Sequence, residues 1–264
     1  MNTLPIWIYW DNLPGKTMPE YIKLCIETIK KNCGSYFEVK LVNSSNVRSY
    51  LPSIHRNYNK LKLIGEPETS AKNISIRTAY IRAKLLYEYG GIWMDADTIL
   101  LKDLSFLLAH FAADEFVACS KLRTTKGISN GFLGSLAKGT IITKYVEAQE
   151  KLIDDRVEFK WGELGLRLLT PIVTANEDYT SLIEEDLLHP IIWENWAVFF
   201  ERVPIGSVMH SYLVSPIAVT LFNSLFARHP YYHILETDRD KILTGGFLIS
   251  KLLRYALNIG ETHE

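Results

Sequence analysis

Between residues 18 and 31 the apolar side chains of Met18, Tyr21, Ile22, Cys25, Ile26 and Ile29 recur at steps of three and four, with Lys and Glu between them. That period predicts an amphipathic helix. On either side the period drops to two. "PIWIYW" at 5 to 10 reads as a short strand of aromatic and β-branched residues, closed by the turn chemistry of "DNLPG", and "YFEVKLVN" at 36 to 43 alternates as a second strand. Strand, helix and strand in this order start a largely parallel sheet and make a nucleotide-binding α/β domain the expected class. A second helix is predicted over 73 to 89, with Ile74, Ala79, Ile81, Leu85, Leu86 and Tyr89 facing inward, and Gly90 and Gly91 stop it, since glycine readily takes the left-handed C′ conformation. "IWM" then reads as a short buried strand that delivers Asp95-Ala96-Asp97 to its C-terminal end, the edge at which open α/β sheets bind ligands. Beyond Phe106 the pattern is legible only in pieces: "EFVACS" and "GFLGS" as strands, 139 to 153 and 240 to 257 as helices.

Two carboxylates in an apolar run must reach water, a cation or hydrogen-bond donors, because an unpaired buried charge is costly. At positions i and i+2 of a strand they share a face, where like charges repel, so that one pKa rises or a cation lies between them. Hard divalent cations take oxygen ligands, and Mg²⁺ typically keeps one or two carboxylates while phosphate oxygens and water complete its shell. A metal-diphosphate site fits Asp95 and Asp97; a solvated turn with two exposed acids is the alternative.

A chain of 264 residues, 47% apolar, can bury a large core, and one main domain with an appended lobe is expected. A formal charge of -1 and a pI near 6.7 exclude a global basic field for nucleic acid. Cys25, Cys33 and Cys119, odd in number and widely spread, suit free thiols in a reducing compartment, and hence the cytoplasm. The N-terminus lacks the basic region and long apolar segment of a signal peptide or anchor, and no apolar run approaches the roughly 20 residues that span a bilayer. The aromatic-rich tract from 193 to 232 leaves peripheral membrane contact open, with ordinary core and turn aromatics as the other reading.

The segment "RAKLLYEYGGIWMDADTILLKDL", 82 to 104, sets Arg82 thirteen residues before Asp95. With the opening "PIWIYWDNLPGKTMPEYIKLCIETIKKN", "ISNGFLGS" at 128 to 135, "WGELGLRLLT" at 161 to 170 and "AVTLFNSLF" at 218 to 226, it resembles the DXD-motif sugar-transferase family. That family includes the capsular polysaccharide synthesis proteins, glycosyltransferase family 32 and, more distantly, the glucosylating clostridial toxins. The resemblance implies a GT-A fold, an α/β class with a Rossmann-like nucleotide-sugar-binding sheet and a smaller, mainly helical acceptor lobe. The whole of 1–264 would be one domain, about 1–135 the donor-binding core and about 136–264 the acceptor lobe and the completion of the site. The implied activity is metal-dependent transfer of a hexose or N-acetylhexosamine from a nucleoside-diphosphate sugar, a UDP-sugar in the first instance, to a cell-surface glycan, capsular polysaccharide or lipid-linked oligosaccharide. Retention of configuration, a Mn²⁺ or Mg²⁺ cofactor and a cytoplasmic place, with the inner face of the membrane as a contact left open, belong to the same implication.

By resemblance, Trp10 would stack on the base, Arg82 would contact the donor and Trp93 would line the nucleotide pocket. Asp95 would hold ribose or sugar hydroxyls and reach the metal, Asp97 would ligate it, and Asn223 would be a C-terminal ligand or diphosphate contact. Taken without the family, Trp10 reads as core, and Arg82 as a functional residue on the turn leading to the carboxylates, with a surface cation on its helix as the alternative. Asn130 is a sugar-hydroxyl contact or a turn residue, and Glu163 an acceptor-side acid or a helix-start residue. The chain departs from the family at Ala79, where a donor-binding aspartate is common, at Thr220 for a histidine, at Phe226 for a tryptophan, and at Leu166 for the proline of a Gly-Pro pair. His210 is a candidate replacement ligand. These departures keep open a nucleotide-sugar or glycan-binding relative with weakened turnover, and "DADT" also looks like the opening of a phosphatase motif whose first aspartate is the nucleophile.

Overall fold

The computed structural model describes residues 3–121, 127–206 and 215–260. The opening folds as its pattern predicts, into strand β1 (Leu4–Tyr9), helix α1 (Glu20–Asn32) and strand β2 (Phe37–Val42), with β1 and β2 parallel. Alternation along β1 divides its side chains between two cores. Ile6 and Ile8 pack with Tyr21, Ile22 and Cys25 of α1, whereas Trp7 and Tyr9 point to the opposite core. Full burial of an Ile contributes about 1.5–3 kcal/mol. A one-residue slip would reverse both faces, so the register is strongly set.

After a short helix α2 (Val47–Tyr50) and strand β3 (Lys62–Leu63), helix α3 (Asn73–Tyr89) covers the Trp7 face. It spans the 17 residues its pattern predicts, and it buries Ile76, Ala79, Tyr80, Ile81, Leu85 and Leu86. Tyr89 departs from the expectation, being 46% exposed, because its hydroxyl bonds the surface carbonyl of Tyr50 while its ring shields Trp7. Gly90 and Gly91 have φ of +65° and +91°, and a Cβ on Gly91 would lie 2.3 Å from the Pro5 carbonyl oxygen. Only glycine permits so tight an entry into strand β4 (Gly91–Met94), which runs parallel to β1. Its Trp93 lies on the α3 side and its Ile92 and Met94 on the α1 side.

Strand β5 (Thr98–Leu100) then leaves the main sheet, and helix α4 (Leu107–Ala113) leads to β6 (Phe116–Lys121). Strand β7 (Gly127–Ser135) is antiparallel to both β4 and β6, so "GFLGS" is the second half of a longer strand. Helix α5 (Thr140–Asp155), strand β8 (Glu158–Phe159) and helix α6 (Leu166–Thr174) follow, with β8 pairing β3. Strand β9 (Thr180–Ile183) adds to the edge beside β6, and after helix α7 (Glu185–Leu188) strand β10 (Ala218–Thr220) pairs antiparallel with β5. The six-stranded sheet has the order β2-β1-β4-β7-β6-β9, parallel except at β7.

The helix expected over 240 to 257 is two, Arg239–Thr244 and Leu248–Leu257. Gly245 breaks it, and Arg254 satisfies the freed ends by donating to the carbonyls of Leu243 and Gly245. Among the described residues no helix is long and apolar enough to cross a membrane. Cys25, Cys33 and Cys119 are buried free thiols.

Candidate active site

β1 and β4 end side by side, so Trp10 and Asp95 emerge at one edge of the sheet. β4 stops at Met94, and Asp95 through Asp97 form a tight turn into β5. The shared strand face expected of the two carboxylates is therefore not what forms. Each acid is instead held by its own partners in the turn, Asp95 by Arg82 and Trp93 and Asp97 by the segment that follows β10.

Asp95 keeps to the α3 side. Its Oδ1 accepts from Arg82 Nη2 at 3.0 Å and from the Trp93 indole Nε1 at 2.8 Å, and its backbone N donates to the Gly131 carbonyl at 2.9 Å. The Arg82 guanidinium also lies over the Trp93 ring at 4.7 Å. Arg82 is only 5% exposed, which removes its reading as a surface cation, and Trp93 is wholly buried, so it grips Asp95 and offers no ring face to a ligand. Gly131 allows the approach of Asp95, whose Oδ2 would lie 3.1 Å from a Cβ there.

Asp97 is joined to the C-terminal region. Its Oδ2 accepts from the backbone N of Asn223 at 3.0 Å, and its carbonyl accepts from Leu221 N at 2.7 Å. The β5–β10 pair brings these together, with Thr220 opposite Thr98. The Asn223 Oδ1, expected as a ligand or diphosphate contact, accepts a hydrogen bond from the Tyr21 hydroxyl. Burial, then the neighbouring Tyr232 and Asp97, hold the Tyr21 hydroxyl well above its usual pKa; burial and Asp97 do the same for the Cys25 thiol. Both stay neutral beside the carboxylate. Thr220 directs its hydroxyl to the Leu188 carbonyl, and Phe226 fills an aromatic cluster with Tyr21, Phe199 and Phe200. His210 lies outside the described residues.

The other candidates fall around this pair. Trp10 is half-buried against the α1-side core, its indole bonded to Asn12 Oδ1 at 3.0 Å. Ala79 is buried on α3 one turn before Arg82, and its carbonyl accepts from Gln149 Nε2 at 3.1 Å. Asn130 lies on β7 between Ser129 and Gly131, against Gly165, where a Cβ would come within 2.2 Å of Asn130 Nδ2. Glu163 is a turn clamp: its carboxylate takes Arg156 Nη2 at 2.6 Å and the Lys160 backbone N at 2.8 Å. Burial works against it, yet those two bonds and the nearby cations hold its pKa below the usual carboxylate range. An acid held ionised is a poor proton donor, and Glu163 sits in the turn ahead of α6, outside that helix's first turn.

Two groups near the site are absent from the sequence reading. Tyr145, pushed up to about 12 by burial against the opposing influence of Arg82, Asn130 and Gln149, gathers those three side chains. Arg82 Nε, Asn130 Oδ1 and Gln149 Oε1 are buried there without protein partners, the pattern of polar atoms that meet water or a ligand hydroxyl. Ser129 Oγ meets His189 Nε2 at 3.1 Å and accepts from Gly131 N at 3.2 Å. A glutamine on the apolar stripe of α5 was the one available hint. The Ser–His contact joins residues 60 apart and had none.

Chemically, the edge presents two fixed carboxylates, a carboxamide and a buried guanidinium. The donors are oxygens only, and among the described residues no group of three or more His, Cys, Asp or Glu could hold a metal. Two carboxylates suit a hard cation whose remaining positions are filled by phosphate and water, and so fit Mg²⁺ or Mn²⁺ better than zinc.

The family model described as capsular polysaccharide synthesis protein matches residues 1–148. No curated protein matches the chain. Among solved structures, mouse xyloside xylosyltransferase 1 is 7% identical over 85% of this chain and 99% of its own, with a TM-score of 0.51. An active-site mutant of LgtC is 12% identical over 99% of this chain and 98% of its own, with a TM-score of 0.50. PaToxG glycosyltransferase is 15% identical over 66% and 70%, with a TM-score of 0.45. The first two likenesses show the fold, GT-A.

Proposed function

The chain belongs to the capsular polysaccharide synthesis protein family and has the GT-A glycosyltransferase fold, and from there we propose that it transfers a hexose or N-acetylhexosamine from a UDP-sugar to a cell-surface or capsular glycan, with retention and with Mn²⁺ or Mg²⁺. The observation that carries the reading is the pair of separately anchored carboxylates at the sheet edge, Asp95 by Arg82 and Trp93, Asp97 by the Asn223 amide. Asp97 is the residue to hold the cation directly, and Asp95 to hold ribose or sugar hydroxyls and reach the cation through water. When bound, such a cation neutralises charge on a departing diphosphate.

The chain's own part is positioning. Arg82, desolvated and stacked on Trp93, fixes Asp95 so that no reorganisation is needed as charge develops, the condition under which electrostatic stabilisation is strongest. Trp10, at the end of β1, offers its ring to the base. The buried free thiols suit a reducing compartment, and hence the cytoplasmic side of the membrane.

Hydrolysis of UDP-sugars in the presence and absence of Mn²⁺, by the wild type and Asp97→Asn, tests the reading. Metal-dependent release of UDP that the substitution abolishes is the expected result; full turnover in the variant overturns it. A second reading, a binding protein with weakened turnover, is favoured by the buried Ala79 one turn from the unpartnered Arg82 Nε. Tight UDP-sugar binding with neither hydrolysis nor transfer would select it. The phosphatase alternative draws support from neither family nor fold.

A further inference from the structure

The loop between β8 and α6 is tightly held yet leaves a large aromatic ring in water. Glu163 clamps it through Arg156 and the Lys160 amide, Gly162 turns it at φ +76°, and the Leu164 carbonyl accepts from Tyr145 Oη at 2.7 Å and Gln149 Nε2 at 2.6 Å. Within it Trp161 is 66% exposed, more than any other large apolar side chain among the described residues. Ile64, 52% exposed, lies alongside: its N donates to the Phe159 carbonyl at 3.0 Å, extending the β3–β8 pair.

This ledge stands beyond the edge of the sheet that carries Asp95. α3 meets that edge at Arg82, which bonds Asp95, so its first residue, Asn73, lies about 13 Å of helix farther out on the same side, where Asn73 Oδ1 holds β3 through Leu63 N at 2.9 Å. The loop's last residue, Gly165, touches Asn130, whose neighbour Gly131 touches Asp95. Trp161 is four residues from Gly165, a reach of at most about 14 Å of extended chain. Nothing in the core uses its ring, and a rigidly placed tryptophan is an economical contact, because little side-chain entropy is lost when it is covered.

Resting on the sugar-transfer reading, we infer that Trp161, with Ile64 beside it, is the platform on which a sugar ring of the acceptor glycan stacks, one or more units from the hydroxyl that receives the transferred sugar. The apolar C–H face of a pyranose lies on the indole, and the reacting end reaches Asn130 and Asp95. Trp161 is a specificity-determining residue outside the reacting centre.

The test uses the full chain with UDP-glucose, UDP-galactose and UDP-N-acetylglucosamine as donors and, as acceptor probes, p-nitrophenyl mono- and disaccharides of glucose, galactose and N-acetylglucosamine. The Trp161 indole N–H resonance, assigned by its loss in Trp161→Phe, is followed as each probe is titrated. It is expected to shift with at least one probe, disaccharides before monosaccharides. Trp161→Ala should raise acceptor KM about tenfold while donor KM holds, Trp161→Phe should recover most of the loss, and Tyr255→Ala on the remote C-terminal helix should match wild type. A Trp161 resonance unmoved by every probe, or an unchanged acceptor KM in Trp161→Ala, overturns the platform. Absence of donor turnover in the wild type counts against the transferase reading instead, and the indole titration decides the platform in either case.

Discussion

Asp95 and Asp97 stand two positions apart, yet they are held by unlike constructions. Asp95 is held by side chains close in sequence, a guanidinium 13 residues before it and an indole two before it. Asp97 is held by a backbone amide 126 residues away, delivered by the pairing of β5 with β10. The first grip depends on residue identity and is charge-assisted; the second depends on where the chain passes and would survive many side-chain changes at Asn223. The difference teaches that a short acidic motif can be half local and half tertiary.

The largest expected effect is at Asp97. Asp97→Asn keeps the shape and the bond from Asn223 N but removes the charge, so Mn²⁺-dependent UDP release should fall by about 100-fold or more, following the mutational range for a lost electrostatic contact in a water-excluded site. Next, Arg82→Met breaks the local grip. It should cost about 2 kcal/mol in urea unfolding, below the figure for a fully buried pair because the Asp95 side chain is 34% exposed, and donor KM should rise with it. Arg82→Lys should recover stability better than donor affinity, since an ammonium cannot reproduce the planar stack on Trp93.

Asn223 sharpens the contrast. Asn223→Ala retains the N–H to Asp97 and should lower turnover only several-fold, whereas Asn223→Pro removes that donor at the first residue of the Asn223–Phe226 helix, where proline is tolerated. Steady-state kinetics of the two variants decide the matter: a collapse in Asn223→Ala would mean that the carboxamide leaves Tyr21 to serve the site directly. The smallest effect concerns Glu163. Its lowered pKa means that its contribution to stability is present above the unfolded carboxyl value near 4.5 and is lost as pH falls through the folded value. The gap in Tm between wild type and Glu163→Gln should thus be open at pH 7 and close as the pH falls below 4.5 and through the lowered folded value.

Much of the frame was legible because single periods dominate single segments. α1 buries one face and β1 sends alternate side chains to two cores, so apolar spacing marks them, and paired glycines mark the stop before β4. β5 and β10, at three residues each, are too short to show a period, and the break at Gly245 hides in a continuous apolar stripe. At the candidate site, Asp95 and Asp97 stood out as two acids closing an apolar run, and Arg82 through the family resemblance. Trp93 was read as pocket lining because residue type does not report which face of a ring is covered. Asn130 and Glu163 looked alike as polar loop-edge residues, and only their neighbours separate a buried oxygen without a partner from an ion-paired clamp.

By itself the sequence determined which segments alternate at two or at three and four, and that a pair of acids closes a buried strand beside a helical arginine; these are matters of local sterics and of the cost of unpaired charge. Tertiary structure alone decided that the two acids are held by different partners, that Asn223 meets Asp97 through its backbone, and that Trp161 stands in water on a fixed loop. Those outcomes depend on which distant backbone groups arrive at a turn, and backbone groups are the same in every residue, so their meeting leaves no mark in side-chain order.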